Sequence, residues 1–380
     1  MKKKIVYVVG DLSYPNGMSR VLSQKVNWLA EHTDYELYVV LTEKANMPWY
    51  YQLSPKIKEV VNFNLNFDDI WNMPFHRRLA AYFQKQRHYK KLFTQYLMTV
   101  RPDITVSVVR REINFINGIK DGSKKVGEIH FTKKSNRVFD KKHLPQKVNR
   151  LITHWWQESL ERKLRQLDKF VVLTEEDATL WHNIPSMTVI PNPIYNFPSH
   201  ASPCSKKQVV AVGRYTWIKG FDLLIDAWAL TSKRHPDWLL RIYGPGDSSP
   251  FRRMIAEKGL QDVACCEGPI DNVYECFNES SVFVLSSRFE GFALVLAEAM
   301  ASGLACVAFD CPCGPRSIIH HQEDGLLVAN GDIKALAEGI DRLIADETLR
   351  RRYGQLARKN VERFKEENIM QKWIELFNGL

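Results

Sequence analysis

The chain has 380 residues, 45% of them hydrophobic and 25% charged, which fits a soluble globular protein of two or three domains with ample material for two cores. No apolar run approaches the roughly 18 residues of a membrane-spanning helix. The formal charge of +10 sits in one place: residues 1–76 balance 8 basic against 8 acidic side chains, residues 77–165 carry 22 basic and 7 acidic, and residues 166–380 carry 23 basic and 28 acidic, so one segment holds the whole positive excess and should attract an anionic partner.

At the N-terminus three lysines precede residues 5–9, a short β-branched run that stops at Gly10 and Asp11. That run is too short for an export signal and reads as a buried parallel strand, so export is not expected. Residues 20–30 carry Val21, Leu22, Val26 and Leu29 at helical spacing, and residues 36–42 form the next strand. Further strands are expected at 104–108, 126–129 and 170–173, with helical stretches between them. This alternation predicts a parallel sheet covered by helices on both faces.

Two stretches of the basic segment are amphipathic. Residues 77–97 mix Arg77, Arg78, Lys85, Lys90 and Lys91 with Tyr82, Phe83, Phe93 and Tyr96. Further on, Val148, Leu151, Ile152, Trp155, Leu160, Leu164 and Leu167 recur at helical spacing, with Lys147, Arg150, Arg162, Lys163 and Arg165 mostly elsewhere around the helix. Each reads either as a helix packing on its own sheet or as a face suited to a membrane interface.

Residues 191–207 hold four prolines and many small polar residues, and read as an interdomain linker. The pattern then restarts with strands at 209–212, 239–243, 282–285 and 305–309, and with helices at 222–231, 291–302, 332–345, 347–363 and 366–377. The seven cysteines all follow residue 203 and include no C-x-x-C pair, so they read as thiols packed as small hydrophobes in a reducing cytosol.

The most informative stretch is 285–303. A strand ends near Leu285, a polar turn holds Glu290 and Gly291, and a helix runs to Gly303, a C-cap glycine. A helix start after glycine offers backbone N–H groups and partial positive charge to a phosphate. Glu298 stands among Leu296, Ala297, Ala299 and Met300, where a carboxylate is costly without a partner. It either meets a ligand or snorkels at the helix edge. A helical rise from Glu290 to Glu298 of about 12 Å would let two carboxylates grip different parts of one elongated ligand. Arg214 and Lys219 lie between a strand ending at Gly213 and a helix. They are surface charges, or they neutralise a pyrophosphate leaving group. His130 closes Gly127-Glu128-Ile129-His130 at a strand end, and Gly17 follows Asn16 between the first strand and first helix.

The 285–303 segment resembles the E-x7-E motif of the retaining glycosyltransferases of family 4, with Glu290 and Glu298 at the motif spacing. The resemblance extends over most of the chain, is strongest from 209 to 330, and includes features seen in capsule and lipopolysaccharide transferases. It implies a GT-B fold: α/β, two Rossmann-like domains facing across a cleft, with a C-terminal helix crossing back to the N-terminal domain. The implied boundaries are 1–195 plus 365–380 for an acceptor-binding domain and 196–364 for a donor-binding domain. It implies that Glu290 contacts the donor sugar, Glu298 the nucleotide ribose, and the amides of Gly291, Phe292, Ala293 and Leu294 the distal phosphate. Arg214 and Lys219 would meet the leaving diphosphate, and His130 the sugar near the reacting carbon. Gly17, Gly213 and Gly244 would admit the donor closely, and the loop at Ile270 would seat the nucleobase. Where Ser317 stands, family members commonly have Glu.

The expectation is therefore a retaining, metal-independent transferase moving a hexose or N-acetylhexosamine from a UDP-sugar to a lipid-linked saccharide in bacterial surface-polysaccharide assembly. It would need no cofactor, bind no nucleic acid and sit in the cytoplasm against the anionic inner face of the membrane. No D-x-D tripeptide, Walker A or G-x-G-x-x-G sequence occurs. Two alternatives stay open. A nucleic-acid-binding or nucleic-acid-glycosylating protein would also use a basic 77–165 face. A sugar-nucleotide epimerase of the same architecture would need no acceptor.

Overall fold

The computed structural model describes residues 2–135 and 145–380; expectations touching 136–144, within the basic segment, lie outside the described residues. The chain forms two compact units. Unit 1 comprises Met1–Leu173, Ala178–Ile190 and Met370–Leu380, and unit 2 comprises Thr174–Asp177 and Pro191–Ile369.

Unit 1 is built on seven parallel strands: β1 (Lys4–Val9), β2 (Glu36–Leu41), β3 (Glu59–Asn62), β4 (Ile104–Ser107), β5 (Lys124–Glu128), β6 (Lys169–Val172) and β7 (Met187–Val189). Their order is β3-β2-β1-β4-β5-β6-β7, so the chain winds outward from β1 and then reverses to β4. Five of the six residues of β1 are buried, as a strand covered on both faces requires. Helix α1 (Gly17–His32) buries Val21, Leu22, Val26 and Leu29, and Asn16 caps it by accepting from the Ser19 N–H. Helix α2 (Phe75–Val100) buries Tyr89, Phe93 and Leu97, while Leu79, Phe83 and Met98 stay exposed. Helix α3 (Gln146–Leu164) buries Leu160 and Leu164 but exposes Val148, Leu151 and Trp155. Both amphipathic stretches thus pack one part of their apolar residues on the core and leave another in solvent. A short helix α4 (Glu175–Leu180) starts in unit 2 and ends in unit 1.

Unit 2 repeats the winding with β8 (Gln208–Val212), β9 (Leu239–Tyr243), β10 (Ala264–Cys266), β11 (Val282–Leu285), β12 (Ala305–Phe309) and β13 (Leu326–Val328), ordered β10-β9-β8-β11-β12-β13 and all parallel. Its helices are α5 (Phe221–Thr231), α6 (Ser249–Glu257), α7 (Val273–Asn278), α8 (Leu294–Ala301), α9 (Ile333–Ala345) and α10 (Glu347–Asn360). The core gathers Trp228, Leu240, Ile242, Val307 and Phe309 with Leu336, Ile340 and Leu343 of α9. Residues 191–207 form no helix, yet they pack on this unit: Ile194 is buried and its N–H donates to the Phe364 carbonyl at 2.7 Å, as Ser202 does to Ser302. The last helix, α11 (Glu366–Asn378), belongs to unit 1 from Met370 onward, where Phe377 stands edge-on to Tyr7. Among the described residues no helix is long and apolar enough to cross a membrane.

Candidate active site

In an open parallel sheet, ligands bind past the carboxyl ends of the strands where strand order reverses. In unit 2 that point lies between β8 and β11, and it brings Gly213–Gly220 beside Ser286–Ala293. The two loops are stitched together. The Arg288 N–H donates to the Ile218 carbonyl at 2.8 Å, and Ser286 Oγ donates to the Lys219 carbonyl at 2.9 Å. Arg288 also grips Asp222 through two hydrogen bonds of 2.8 and 2.6 Å and lies over the Trp217 ring. Gly220, at φ 63°, passes so close to the Ser286 carbonyl that a β-carbon would overlap it.

Lys219 Nζ donates to Glu290 Oε1 at 2.7 Å, so the structure pairs two residues that are 71 positions apart. Glu290 finds room because Gly314 has no β-carbon; one there would press on the Glu290 Cβ. Arg214 is exposed at the same loop and Gly213 backs the Lys219 stem. Helix α8 starts later than the sequence predicts. Ala293 sits in the left-handed region (φ 62°, ψ 51°), so Glu290, Gly291 and Phe292 belong to the loop, and no side chain caps the first amides of α8 at Leu294. Four of the eight steps from Glu290 to Glu298 are therefore not helical, and a rise computed for a continuous helix does not apply. Phe292 and Ala293 are buried, and Phe292 packs edge-on against Phe364 at 5.2 Å. Glu298, within α8, is only 5% exposed. Burial, aided by the neighbouring Glu275 and Glu298, pushes the Cys276 thiol up to about 12.

Beside this pair, the Gly244 N–H donates to the Gly268 carbonyl at 3.1 Å, joining the loop after β9 to the turn that carries Ile270. Gly244 also abuts the Gly213 carbonyl so closely that no β-carbon fits. Arg316 is held by Asp310, and Ser317 follows within a short turn whose N–H groups bond back to Gly314 and Pro315. The Cys313 N–H donates to Glu176 Oε2 at 3.1 Å, which ties Thr174–Asp177 to unit 2.

Gly17 and His130 belong to unit 1. Gly17 opens α1 with open space around its α-carbon, and Asn16 is extended and serves as the cap, so no unusual backbone angle is needed there. His130 follows β5, and its Nε2 lies 2.5 Å from Glu128 Oε1. The other Glu128 oxygen accepts from Lys25 Nζ of α1, and both side chains are buried. Lys25 also lies 3.8 Å from the centroid of the Trp373 ring of α11. Burial alone would raise the Glu128 carboxyl, but Lys25 and the bond to His130 hold it down at about 2; burial lowers the Lys25 ammonium, and Glu128 opposes that. Glu128 is therefore a fixed anion that orients His130. Sequence reasoning passed over Lys25. The signal was present, because Lys25 is one turn from Val21 and adjacent to Val26 on the buried stripe of α1.

Among the described residues no group of three or more His, Cys, Asp and Glu side chains is arranged to hold a metal ion.

Residues 195–360 match the family Glycosyl transferases group 1. Over 221 residues the chain is 39% identical to an exopolysaccharide phosphotransferase of Streptomyces coelicolor, covering 56% of this chain and 24% of the relative. Also over 221 residues, it is 30% identical to a poly(ribitol-phosphate) alpha-N-acetylglucosaminyltransferase of Staphylococcus aureus, covering 56% of this chain and 44% of the relative. The chain thus spans less than half the length of either relative. In three dimensions it is similar to a variant of Staphylococcus aureus TarM solved with fondaparinux, alpha-GlcNAc-glycerol and UDP, at a TM-score of 0.75 and 19% identity, over 99% of this chain and 100% of that one.

Proposed function

We propose that this chain, which carries a group 1 glycosyltransferase domain at residues 195–360 on a GT-B fold, is a retaining hexosyltransferase of bacterial surface-polysaccharide assembly. The observation that carries the reading is the Lys219–Glu290 pair at the strand-order reversal of unit 2, beside the uncapped start of α8. The similarity of the chain to the Streptomyces coelicolor and Staphylococcus aureus relatives supports the pathway, and the UDP in the TarM complex supports the nucleotide.

The donor is a UDP-hexose or UDP-N-acetylhexosamine bound by unit 2. An arriving diphosphate competes with Glu290 for Lys219. It takes the ammonium and frees the Glu290 carboxylate to accept from sugar hydroxyls. As the anomeric C–O bond breaks, negative charge grows on the leaving phosphate. Lys219, Arg214 and the α8 amides stabilise it without a metal. Glu298 accepts from the ribose, and the turn at Ile270 seats the base. The acceptor hydroxyl attacks the face that the diphosphate leaves. A lipid-linked acceptor at the cytoplasmic membrane face fits the exposed Leu79, Phe83 and Leu151 interleaved with Arg77, Lys90, Lys91 and Arg150.

One assay tests donor and membrane together. Supplied with UDP-glucose or UDP-N-acetylglucosamine and a polyprenyl-diphosphate saccharide in anionic liposomes, the protein is expected to release UDP and extend the saccharide. Charge reversal at Arg77, Arg78, Lys90 and Lys91 should lower that rate severalfold and leave transfer to a water-soluble acceptor unchanged. No UDP release from any UDP-sugar contradicts the transferase, and equal rates on liposomes contradict the membrane face.

A further inference from the structure

Unit 1 has a concavity of its own, past the carboxyl ends of β4 and β5, with a volume of about 410 Å³. Arg110 and Arg111 line it after β4, Phe131 after β5, and Trp155, Trp156 and Lys163 from α3. Its lining includes three basic side chains and no carboxylate. The strand order of unit 1 reverses between β1 and β4, so the concavity lies beside the place where an open parallel sheet takes its ligands.

The two arginines differ. Arg111 is committed: its guanidinium meets Glu43 at 3.2 Å and Asp68 at 3.6 Å and lies over the Phe67 ring. Arg110 is exposed and passes over Gly10, where a β-carbon would overlap its guanidinium; among the described residues no ion pair holds that guanidinium, whose charge acts on the Glu43 carboxyl that Arg111 already grips. Trp155 is 66% exposed although it lies on a helix whose later turns are buried in the core. Contiguous exposed rings on a folded protein mark a binding surface. Aromatic faces take the apolar face of a sugar or polyol, and an exposed guanidinium takes phosphate through two parallel hydrogen bonds. The neighbours of His130 on either side, Ile129 and Phe131, both line this concavity.

We propose that this concavity is the acceptor seat and that its ligand is a phosphate-bearing glycan, with a sugar or polyol unit on Trp155 and the adjoining phosphate on Arg110. This rests on the transferase reading above and names the acceptor class for it. A single-stranded nucleic acid would share the charge and the stacking. It needs a groove that tracks on the order of 4–16 nucleotides, however, and a concavity of this size holds one or two sugar units.

The test is calorimetric titration of the full chain with a synthetic glycerol-phosphate trimer, with maltotriose and with an eight-nucleotide single-stranded DNA. Wild type, Arg110→Ala and Trp155→Ala are compared; both side chains are exposed, and unchanged thermal midpoints verify folding. The trimer is expected to bind wild type at least tenfold more tightly than maltotriose, and each substitution to weaken it about tenfold. Stabilisation by UDP should be the same in all three proteins. Equal binding of the trimer to wild type and both variants overturns the proposal. So does maltotriose binding as tightly as the trimer, or DNA binding more tightly and being displaced by it. Loss of UDP stabilisation in wild type would instead contradict the donor reading, and the trimer titration would still report on the concavity.

Discussion

At the scale of single residues, the chemistry rests on charges that hold one another in place. Lys25, Glu128 and His130 form a buried chain, and its centre titrates far below neutrality. The sign follows from the carboxyl held at about 2, against an ordinary value of about 4.3. The stability this adds is fully present above the ordinary value and is lost as pH falls through 2, so Glu128 stays charged across any working pH. Glu128→Gln leaves Lys25 buried without its counter-ion and should destabilise the fold by about 3–5 kcal/mol. Lys25→Met in the same chain should recover most of the thermal midpoint, because it removes the buried ammonium that Glu128→Gln leaves without a counter-ion. The double variant still lacks the anion that orients His130. Its kcat is expected to fall by one to two orders of magnitude while UDP stabilisation persists. Wild-type kcat in the refolded double variant contradicts a positioning role.

The residue scale was only partly legible. Glu290, Lys219 and Arg214 stand out in the sequence by their neighbours. The direct bond between Lys219 and Glu290 depends on strand order, which no local pattern carries. Arg110 and Trp155 looked like members of a basic, aromatic-rich segment. Their shared concavity comes from bringing the end of β4 against α3.

At the scale of elements, the central strands were visible because a strand buried on both faces must be a continuous apolar run. The four strands that sequence reasoning missed, β3, β7, β10 and β13, are the four sheet edges. Each is only three or four residues long, as edges commonly are, and too short for a periodicity to emerge. The late start of α8 was illegible for a different reason: alanine gives no sign of adopting the left-handed region, and here surrounding contacts impose it. Where strand ends converge, glycine is required by contact. Gly244→Ala would push a methyl into the Gly213 carbonyl, and a loss of about 1–3 kcal/mol in denaturant unfolding is expected. Gly268→Ala, in the neighbouring loop with open space at its α-carbon, should change stability by less than about 0.5 kcal/mol. Equal midpoints for the two variants would contradict the packed strand ends that shape the donor loop.

At the scale of the whole molecule, the repeat of one winding is what the sequence displayed best, because strand-helix alternation restarts after residue 207. The small exchanges of chain were hidden. Thr174–Asp177 counts with unit 2 through bonds such as that between Glu176 and Cys313, 137 residues away, and Met370–Leu380 returns to unit 1 through Trp373 and Phe377. The division of charge remains visible in three dimensions, since the basic α2 and most of α3 expose their cations on unit 1. The proposed donor chemistry in unit 2 and the proposed anionic acceptor or surface at unit 1 match that division. The most direct measurement is a thermal-shift comparison of UDP, GDP, ADP, CMP and NAD on wild type and Lys219→Ala in metal-free buffer. Stabilisation by UDP alone, about 2.7 kcal/mol at a hundredfold excess over Kd and strongly reduced in Lys219→Ala, is the expected result. A folded wild type that no nucleotide stabilises, or a UDP shift that Lys219→Ala leaves intact, contradicts a donor site built on the Lys219–Glu290 pair.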